Sequence, residues 1–154
     1  MLKSIEDNFD NIKVHDLLIK HFIELRLVSP VGSAHVLNIA GLKDPSIKFW
    51  SLWEGEELMG VGALKFLNKL HGEFKSIRVN DKFRNKGYGL KIINHLINEA
   101  RKLNIEKLSL ETGAGNFFQN ARQLFIKCGF KTCEPFSKYE KDDNSVYMSM
   151  LISN

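Results

Sequence analysis

Residues 84–89 read Arg84-Asn85-Lys86-Gly87-Tyr88-Gly89 and lie between a predicted strand and a predicted helix. Closely spaced glycines let the backbone approach a ligand and place consecutive N–H groups at the start of the helix. Those donors and the positive end of the helix dipole bind anions such as phosphate, and Arg84 and Lys86 add positive charge. The run therefore predicts an anion site, although a plain strand-to-helix turn explains the same glycines.

Two common nucleotide-binding patterns do not fit this turn. A P-loop requires G-x-x-x-x-G-K-[ST], a run that the sequence lacks. The dinucleotide fingerprint requires a small residue three positions after Gly89, where Ile92 stands, and a fold that opens β-α-β.

Hydrophobic periodicity predicts the elements on both sides of the turn. After it we expect a helix over 87–103, a strand over 108–112, a helix over 118–127, a strand that ends at Cys133 and a final strand over 146–152. Before it we expect strands over 47–53, 58–67 and 73–79. Upstream of these, a helix around 14–25 ends before Ser29-Pro30, and Ser33 is predicted to cap a second short helix through His35, Leu37 and Ile39. The predicted order is α-α-β-β-β-α-β-α-β-β, a mixed sheet in one α/β domain that spans residues 1–154.

The composition excludes several classes of protein. The hydrophobic content of 44% and the charged content of 26% are typical of a soluble globular domain. No apolar run approaches the roughly 20 residues of a membrane span, and the N-terminus lacks the apolar segment of a signal peptide. We therefore expect a cytoplasmic protein with no membrane partner.

Metal and nucleic acid are also not expected as ligands. Cys128 and Cys133 form no disulfide framework or zinc pattern, and the histidines are scattered. The net charge of +4 is modest, and the basic residues are interspersed with acidic ones rather than gathered in a stripe.

Two sequence blocks together resemble the GNAT acetyltransferase superfamily. R-x-x-G-x-G at 84–89, after the strand 73–79, is similar to the acetyl-CoA signature of that family. The block from Ala121 to Phe130, A-R-Q-L-F-I-K-C-G-F, resembles the family's A-x-x-L-Y-x-x-x-G-F, in the same order and at the same spacing. Further stretches resemble a bacterial subfamily of small GNAT enzymes, among them Phe49-Trp50, Gly62-Ala63-Leu64-Lys65, Leu110-Glu111-Thr112-Gly113 and Asn144-Ser145-Val146.

The resemblance implies a GNAT-like α/β fold with a mixed, mostly antiparallel sheet, a splayed central strand pair and flanking helices. It implies acetyl-CoA as co-substrate and no metal. The pantetheine arm would pair with the backbone of Ile77, Arg78 and Val79. The pyrophosphate would lie on the N–H groups of the turn, and the residues implied to bind the co-substrate there and beyond are Arg84, Asn85, Lys86, Gly87, Tyr88, Gly89, Asn116 and Phe125.

The implied reaction is direct attack of the primary amine of a small molecule on the acetyl thioester. A protonated alkyl amine is a poor nucleophile, so a base is needed, and the backbone N–H of Val79 is a candidate oxyanion donor. Glu73 and Glu111 are the two candidate bases, although Glu73 could instead pair with Lys75 or Lys65. By the alternation of strand residues, Glu73, Lys75, Ile77 and Val79 share one face unless a bulge intervenes.

The sequence departs from the family at two positions. The family's helix-borne tyrosine, the usual general acid, corresponds to Phe125, and its asparagine corresponds to Phe118, with Asn116 and Asn120 close by. Either Tyr139 or Tyr88 donates the proton, or the thiolate leaves unassisted, since a CoA thiol has roughly the acidity of a cysteine (~8.5).

An amino-acid-like acceptor is favoured because His35, Lys75, Arg78 and Tyr139 could gather a carboxylate. A peptide or protein acetyltransferase and a catalytically weak acetyl-CoA sensor are the alternatives. A homodimer is an expectation of the family resemblance alone.

Overall fold

The computed structural model describes residues 1–29 and 38–152 of the chain. The described residues form a sheet of seven strands in the order β1-β2-β3-β4-β5-β7-β6, in which only β4 and β5 are parallel neighbours. The strands are β1 Lys3–Glu6, β2 Ile47–Glu54, β3 Glu57–Phe66, β4 His71–Val79, β5 Lys107–Gly113, β6 Lys131–Cys133 and β7 Ser145–Leu151. The mixed, mostly antiparallel α/β architecture is confirmed.

Four helices flank this sheet in the described residues: α1 Ile12–Val28, α2 Ile39–Leu42, α3 Tyr88–Lys102 and α4 Gln119–Cys128. The side chain of Asn11 caps α1 by accepting hydrogen bonds from the first turn. Arg101 and Lys102 in the last turn of α3 suit the negative end of its dipole. The predicted helices around 14–25, 87–103 and 118–127 are confirmed, with ends that differ by a few residues. The predicted cap Ser33 and the helix start through His35 and Leu37 lie outside the described residues.

The sheet separates two hydrophobic cores. On one face, α1 buries Val14, Leu17, Leu18 and Phe22 against strand residues that include Phe49 and Trp53. On the other face, α3 buries an apolar stripe against strand residues; this second core includes Trp50, Leu64, Phe74, Ile92, Ile93 and Leu96. The two tryptophans of β2 therefore serve opposite cores.

Strand β1 corrects the predicted order, which began with two helices. β1 is short and mostly exposed, so it has no alternating apolar pattern to reveal it. Its backbone pairs with β2 over the register from Lys3 opposite Trp53 to Glu6 opposite Trp50. Tertiary pairing therefore forms this strand, and four antiparallel strands precede the turn at 84–89 rather than three.

The central strands β4 and β5 separate after a short parallel ladder. They pair only from His71 opposite Lys107 to Glu73 opposite Ser109, although both strands continue. The splay that the family resemblance implied is therefore present, and it begins at Glu73.

A β-bulge in β4 accompanies the splay. The register against β3 shifts by one residue between Lys75, which opposes Ala63, and Arg78, which opposes Val61. Ser76, within the shifted segment, has a positive φ of 55°. The bulge turns Arg78 to the α1 face of the sheet.

The bulge is the exception that the expected common face of the β4 residues allowed for. Ile77 and Val79 pack with the α3 core, as Phe74 does, while Glu73 lies on the opposite face with Lys75. The strand presents its charged side chains to α1 and its apolar side chains to α3.

The conformation of Ser76 generates a prediction about stability. A β-branched residue is strained at positive φ, so Ser76→Val should lower the free energy of unfolding by about 1–2 kcal/mol. Ser76→Gly is the matched control and should be as stable as the wild type or more so. Urea unfolding of the three proteins measures the difference, and equal midpoints for Val and Gly would contradict the bulge geometry.

Candidate active site

The splay between β4 and β5 opens a cleft of about 630 Å³. This volume lies within the range of roughly 300–1,000 Å³ that small-molecule sites occupy. Its walls are β4 from Glu73 onwards, the end of β5, the C-terminal half of α1, part of the turn before α3, and residues of α4. The cleft is thus built where the central strands β4 and β5 stop pairing.

The turn at 84–89 borders this cleft at the N-terminus of α3. Gly87 occupies the N-cap position with a φ of 84°, which most side chains disfavour, and a Cβ there would point into open space. A Cβ on Gly89 would lie 2.7 Å from Leu124 Cδ1. Gly87 therefore suits the left-handed conformation of the turn, whereas Gly89 leaves room for the Leu124 side chain of α4 to pack closely on α3.

The predicted co-substrate residues of the turn separate into two groups. Arg84, Asn85 and Gly89 line the cleft, whereas Lys86, Gly87 and Tyr88 do not. The ring of Tyr88 packs edge-on against Phe83, with 5.5 Å between the ring centroids. Tyr88 is thus held away from the cleft in which a proton donor would act.

Glu73, Lys75 and Tyr139 meet on the α1 side of the cleft, although Tyr139 is far away in sequence. The Tyr139 hydroxyl donates to Glu73 Oε2 at 2.5 Å, and Lys75 Nζ donates to the same oxygen at 3.2 Å. Lys75 Nζ also lies 3.2 Å from the Tyr139 oxygen. The Glu73 side chain is only 4% exposed. Burial and the Glu73 carboxylate raise the pKa of Tyr139 well above its ordinary value, so this phenol stays protonated.

Glu111, the other predicted base, lies on β5 two residues beyond the last pair with β4 and also lines the cleft. Its Oε2 accepts a hydrogen bond of 2.8 Å from Ser145 Oγ. The splay therefore brings both candidate carboxylates to one cavity.

The chain matches the model of the "Acetyltransferase (GNAT) family" over residues 12–130. It is 44% identical over 143 residues to YsnE of Bacillus subtilis, an uncharacterized N-acetyltransferase, across 93% of this chain and 95% of that protein. It is 38% identical to YedL of Escherichia coli, also an uncharacterized N-acetyltransferase, across 95% of this chain and 92% of that protein.

The chain belongs to the GNAT family. It is therefore an acyltransferase that uses acetyl-CoA. A solved structure of a Bacillus subtilis acetyltransferase in complex with CoA has the same fold, with a TM-score of 0.70 and 20% identity across 99% of this chain and 100% of that one.

Phe125 stands where the family resemblance implied a tyrosine. Phe125 lines the cleft from α4, is buried, and packs edge-on against Phe130 with 5.6 Å between ring centroids. Asn116, at the start of a short 3-10 turn, lines the same wall. Phe125 thus supplies an apolar surface to the cleft and no proton.

An ion network joins α1 to β4 and to the turn at 84–89. Arg78, which is 5% exposed, contacts Glu24 at 2.7 Å and Asp81 at 3.0 Å. Asp81 also contacts Arg84 at 3.1 Å and pairs with Lys20. Burial acts to raise the pKa of Asp81, but these three cations outweigh it and the pKa is lowered. Arg78, an acceptor candidate in the sequence, is therefore engaged in ion pairs that connect α1 to β4. His35, another acceptor candidate, lies outside the described residues.

His21 is a cleft residue that sequence reasoning did not find. It is buried on the inner face of α1, and burial, followed by the nearby Arg78, lowers its pKa from 6.5 to about 4. Its helical spacing from Val14, Leu17 and Leu18 would have placed it on the buried face.

Two features are absent from the described residues. Within residues 1–29 and 38–152, no three His, Cys, Asp or Glu side chains gather as metal ligands would. In the same part of the chain, no helix is long and apolar enough to cross a membrane.

The depressed pKa of His21 predicts a pH-dependent stability. His21 takes up a proton near pH 6.5 in the unfolded chain but only near pH 4 in the folded chain. The contribution of neutral His21 to the free energy of unfolding is therefore complete above pH 6.5 and is lost as the pH falls towards 4. The loss should be at most about 3 kcal/mol, because each pH unit is worth about 1.4 kcal/mol.

Urea unfolding at pH 7, 6, 5 and 4 tests this prediction. His21→Gln should flatten the decline, whereas the control His15→Gln, at an exposed position of the same helix, should leave it unchanged. A residual slope is expected in both variants because burial also lowers the pKa of His71. Equal slopes for wild type and His21→Gln would contradict the assignment.

Proposed function

We propose that this enzyme transfers an acetyl group from acetyl-CoA to the primary amine of a small, amino-acid-like molecule, by direct attack in a ternary complex. The observation that carries the proposal is the cleft at the β4–β5 splay, which joins the N-terminus of α3 to the buried Glu73. From Glu73 to Val79 the strand extends about 20 Å, so one extended co-substrate can contact both regions.

The backbone of β4 is suited to hold that co-substrate. Ile77, Arg78 and Val79 lie beyond the last pair with β5, so their polar groups on that side do not join the β4–β5 ladder. We assign the pantetheine arm to these groups. The pyrophosphate would lie at the start of α3, with Arg84 and Asn85 beside it, and Asn116 and Phe125 would form the opposite wall.

Glu73 is the base in this proposal. The amine nitrogen attacks the carbonyl carbon, the C–S bond breaks as the tetrahedral intermediate collapses, the thiolate leaves, and Glu73 accepts the proton that nitrogen loses, directly or through water. The backbone N–H of Val79 is the proposed oxyanion donor. Tyr139 and Lys75 both bond Glu73 Oε2, which fixes the carboxylate for this task.

The leaving thiolate departs without a protein acid in this mechanism. Phe125 has no proton to give. Tyr139 has a raised pKa, so proton transfer from it to a thiolate whose conjugate thiol has a pKa of ~8.5 is unfavourable. Tyr139 is therefore proposed as a positioning residue for Glu73, and solvent protonates the thiolate.

The charges around the cleft support a zwitterionic acceptor. Glu111 offers a second carboxylate for the ammonium group of the acceptor, and Lys75 offers a cation for its carboxylate. Arg78 is committed to Glu24 and Asp81, so we omit it from acceptor recognition.

A thiol-release assay with acetyl-CoA tests the function. Amino acids and other amines that carry a carboxylate should accelerate CoA release, and polyamines and peptides should do so much less. If no amine accelerates release while calorimetry still records acetyl-CoA binding, the protein is an acetyl-CoA sensor, the alternative that Phe125 leaves open. A preference for peptides would also contradict the proposal.

The base assignment predicts a difference between two matched variants. Glu73→Gln should lower kcat by about 10²–10⁴-fold, because the general base is lost while the shape of the site is kept. Glu111→Gln should raise KM for the acceptor with a smaller effect on kcat. Both should bind acetyl-CoA as the wild type does by calorimetry. A larger loss of kcat in Glu111→Gln would transfer the role of base to Glu111.

A further inference from the structure

The apolar face of α1 that packs on the sheet continues into the cleft. As far as Phe22, this face is buried in the core that α1 shares with β2 and β3. The next apolar residues on the same face, Leu25 and Val28, line the cleft instead. At about 100° per residue, both lie within roughly 40° of the direction of His21, so the three side chains form one stripe. The C-terminal half of α1 therefore presents its inward face to the cleft.

This stripe is an apolar wall without a charge of its own. Val28 is 40% exposed and Leu25 is partly exposed, so both side chains have surface for a ligand to cover. Burial and the nearby Arg78 hold the pKa of His21 well below its ordinary value, so its ring is neutral at pH 7. Glu24, beside the stripe, pairs with Arg78. In the described part of α1, the residues that line the cleft include no Asp, Glu, Lys or Arg.

The other walls of the cleft already have occupants in the proposed function. The co-substrate takes up the edge of β4, the start of α3 and the wall that contains Asn116 and Phe125. The ammonium and the carboxylate of the acceptor are assigned to Glu111 and Lys75. An α-amino acid has one further substituent on its α-carbon, its side chain, and the α1 wall is the surface left for it. Such a wall favours apolar surface, whereas a polar group loses water there without gaining a partner.

We propose that the acceptor is an α-amino acid with an apolar side chain, and that Leu25 and Val28 select this side chain. The inference rests on the proposed function and narrows its class of acceptor. Leu25 and Val28 determine specificity rather than catalyse, because Glu73 is the group that takes the proton.

Matched pairs of acceptors test the inference in a thiol-release assay with acetyl-CoA. Leucine and asparagine have nearly the same shape, as do methionine and glutamine, and each pair differs mainly in polarity. The apolar member of each pair should have the higher kcat/KM by about ten-fold or more, within the range that apolar pockets achieve. Equal values within both pairs, or higher values for the polar members, would overturn this inference while the proposed function stands. Acetylation of none of the four would overturn the proposed function and this inference with it.

Three variants of the full chain assign the selectivity to the α1 wall. Leu25→Asn should lower the ratio of kcat/KM for leucine to that for asparagine by about five-fold or more, because the wall becomes polar at the same size. Val28→Thr, a milder change, should lower the ratio by less. Leu27→Asn is the matched control, because Leu27 is 79% exposed on the outer face of the same helix, and the ratio should not change.

Two readouts separate selectivity from damage to the fold. Thermal unfolding shows which variants fold, and Val28→Thr carries the test if Leu25→Asn does not. The KM for acetyl-CoA should stay at the wild-type value in all three variants, since the stripe lies on the acceptor side of the cleft. A wild-type ratio in the folded variants of Leu25 and Val28 would overturn the assignment, as would an equal fall in Leu27→Asn.

Discussion

The separation of β4 from β5 is the constraint on which the site depends. Strand pairing normally satisfies the backbone groups of central strands, yet here the ladder ends at Glu73 and Ser109 while both strands continue. The freed edge of β4 needs another partner, and an extended co-substrate with amide groups can supply it. The bulge at Ser76 accompanies the splay, because an extra residue in one strand increases twist and bends that strand away.

The bulge also decides which side chains meet which core. Before it, charged residues of β4 face α1, and after it Arg78 takes the same face instead of Ile77 or Val79. A buried guanidinium is costly unless it is paired, and Glu24 and Asp81 provide two carboxylates. The resulting network connects α1, β4 and the turn at 84–89, so the geometry of the proposed phosphate site depends on a helix that also lines the cleft. His21, neutral at physiological pH, fits beside Arg78, where a protonated imidazole would be repelled.

In the proposed mechanism, the environment of Glu73 explains how the site functions without the tyrosine that the family resemblance implied at position 125. A carboxylate with little solvent exposure keeps two donors, Tyr139 and Lys75, on one oxygen. Proton removal from the amine is the step that needs protein help, because alkyl ammonium groups are weakly acidic, whereas the thiolate is a tolerable leaving group in water. The proposed reaction therefore does not require a proton donor at position 125. Phe125 instead gives its wall of the cleft an apolar surface.

The sequence by itself determined the local elements and the family. Periodic apolar residues predicted α3, α4 and most strands, and the motifs at 84–89 and 121–130 predicted the co-substrate, because helix faces and turn chemistry are properties of neighbouring residues. Strand β1 was missed because pairing with β2, rather than its own pattern, makes it a strand. Likewise, only the tertiary structure decided the bulge in β4, the ion pairs of Arg78 and the hydrogen bond between Tyr139 and Glu73. Each of these depends on contacts between residues distant in the chain, whose relative positions follow from the twist and register of the whole sheet.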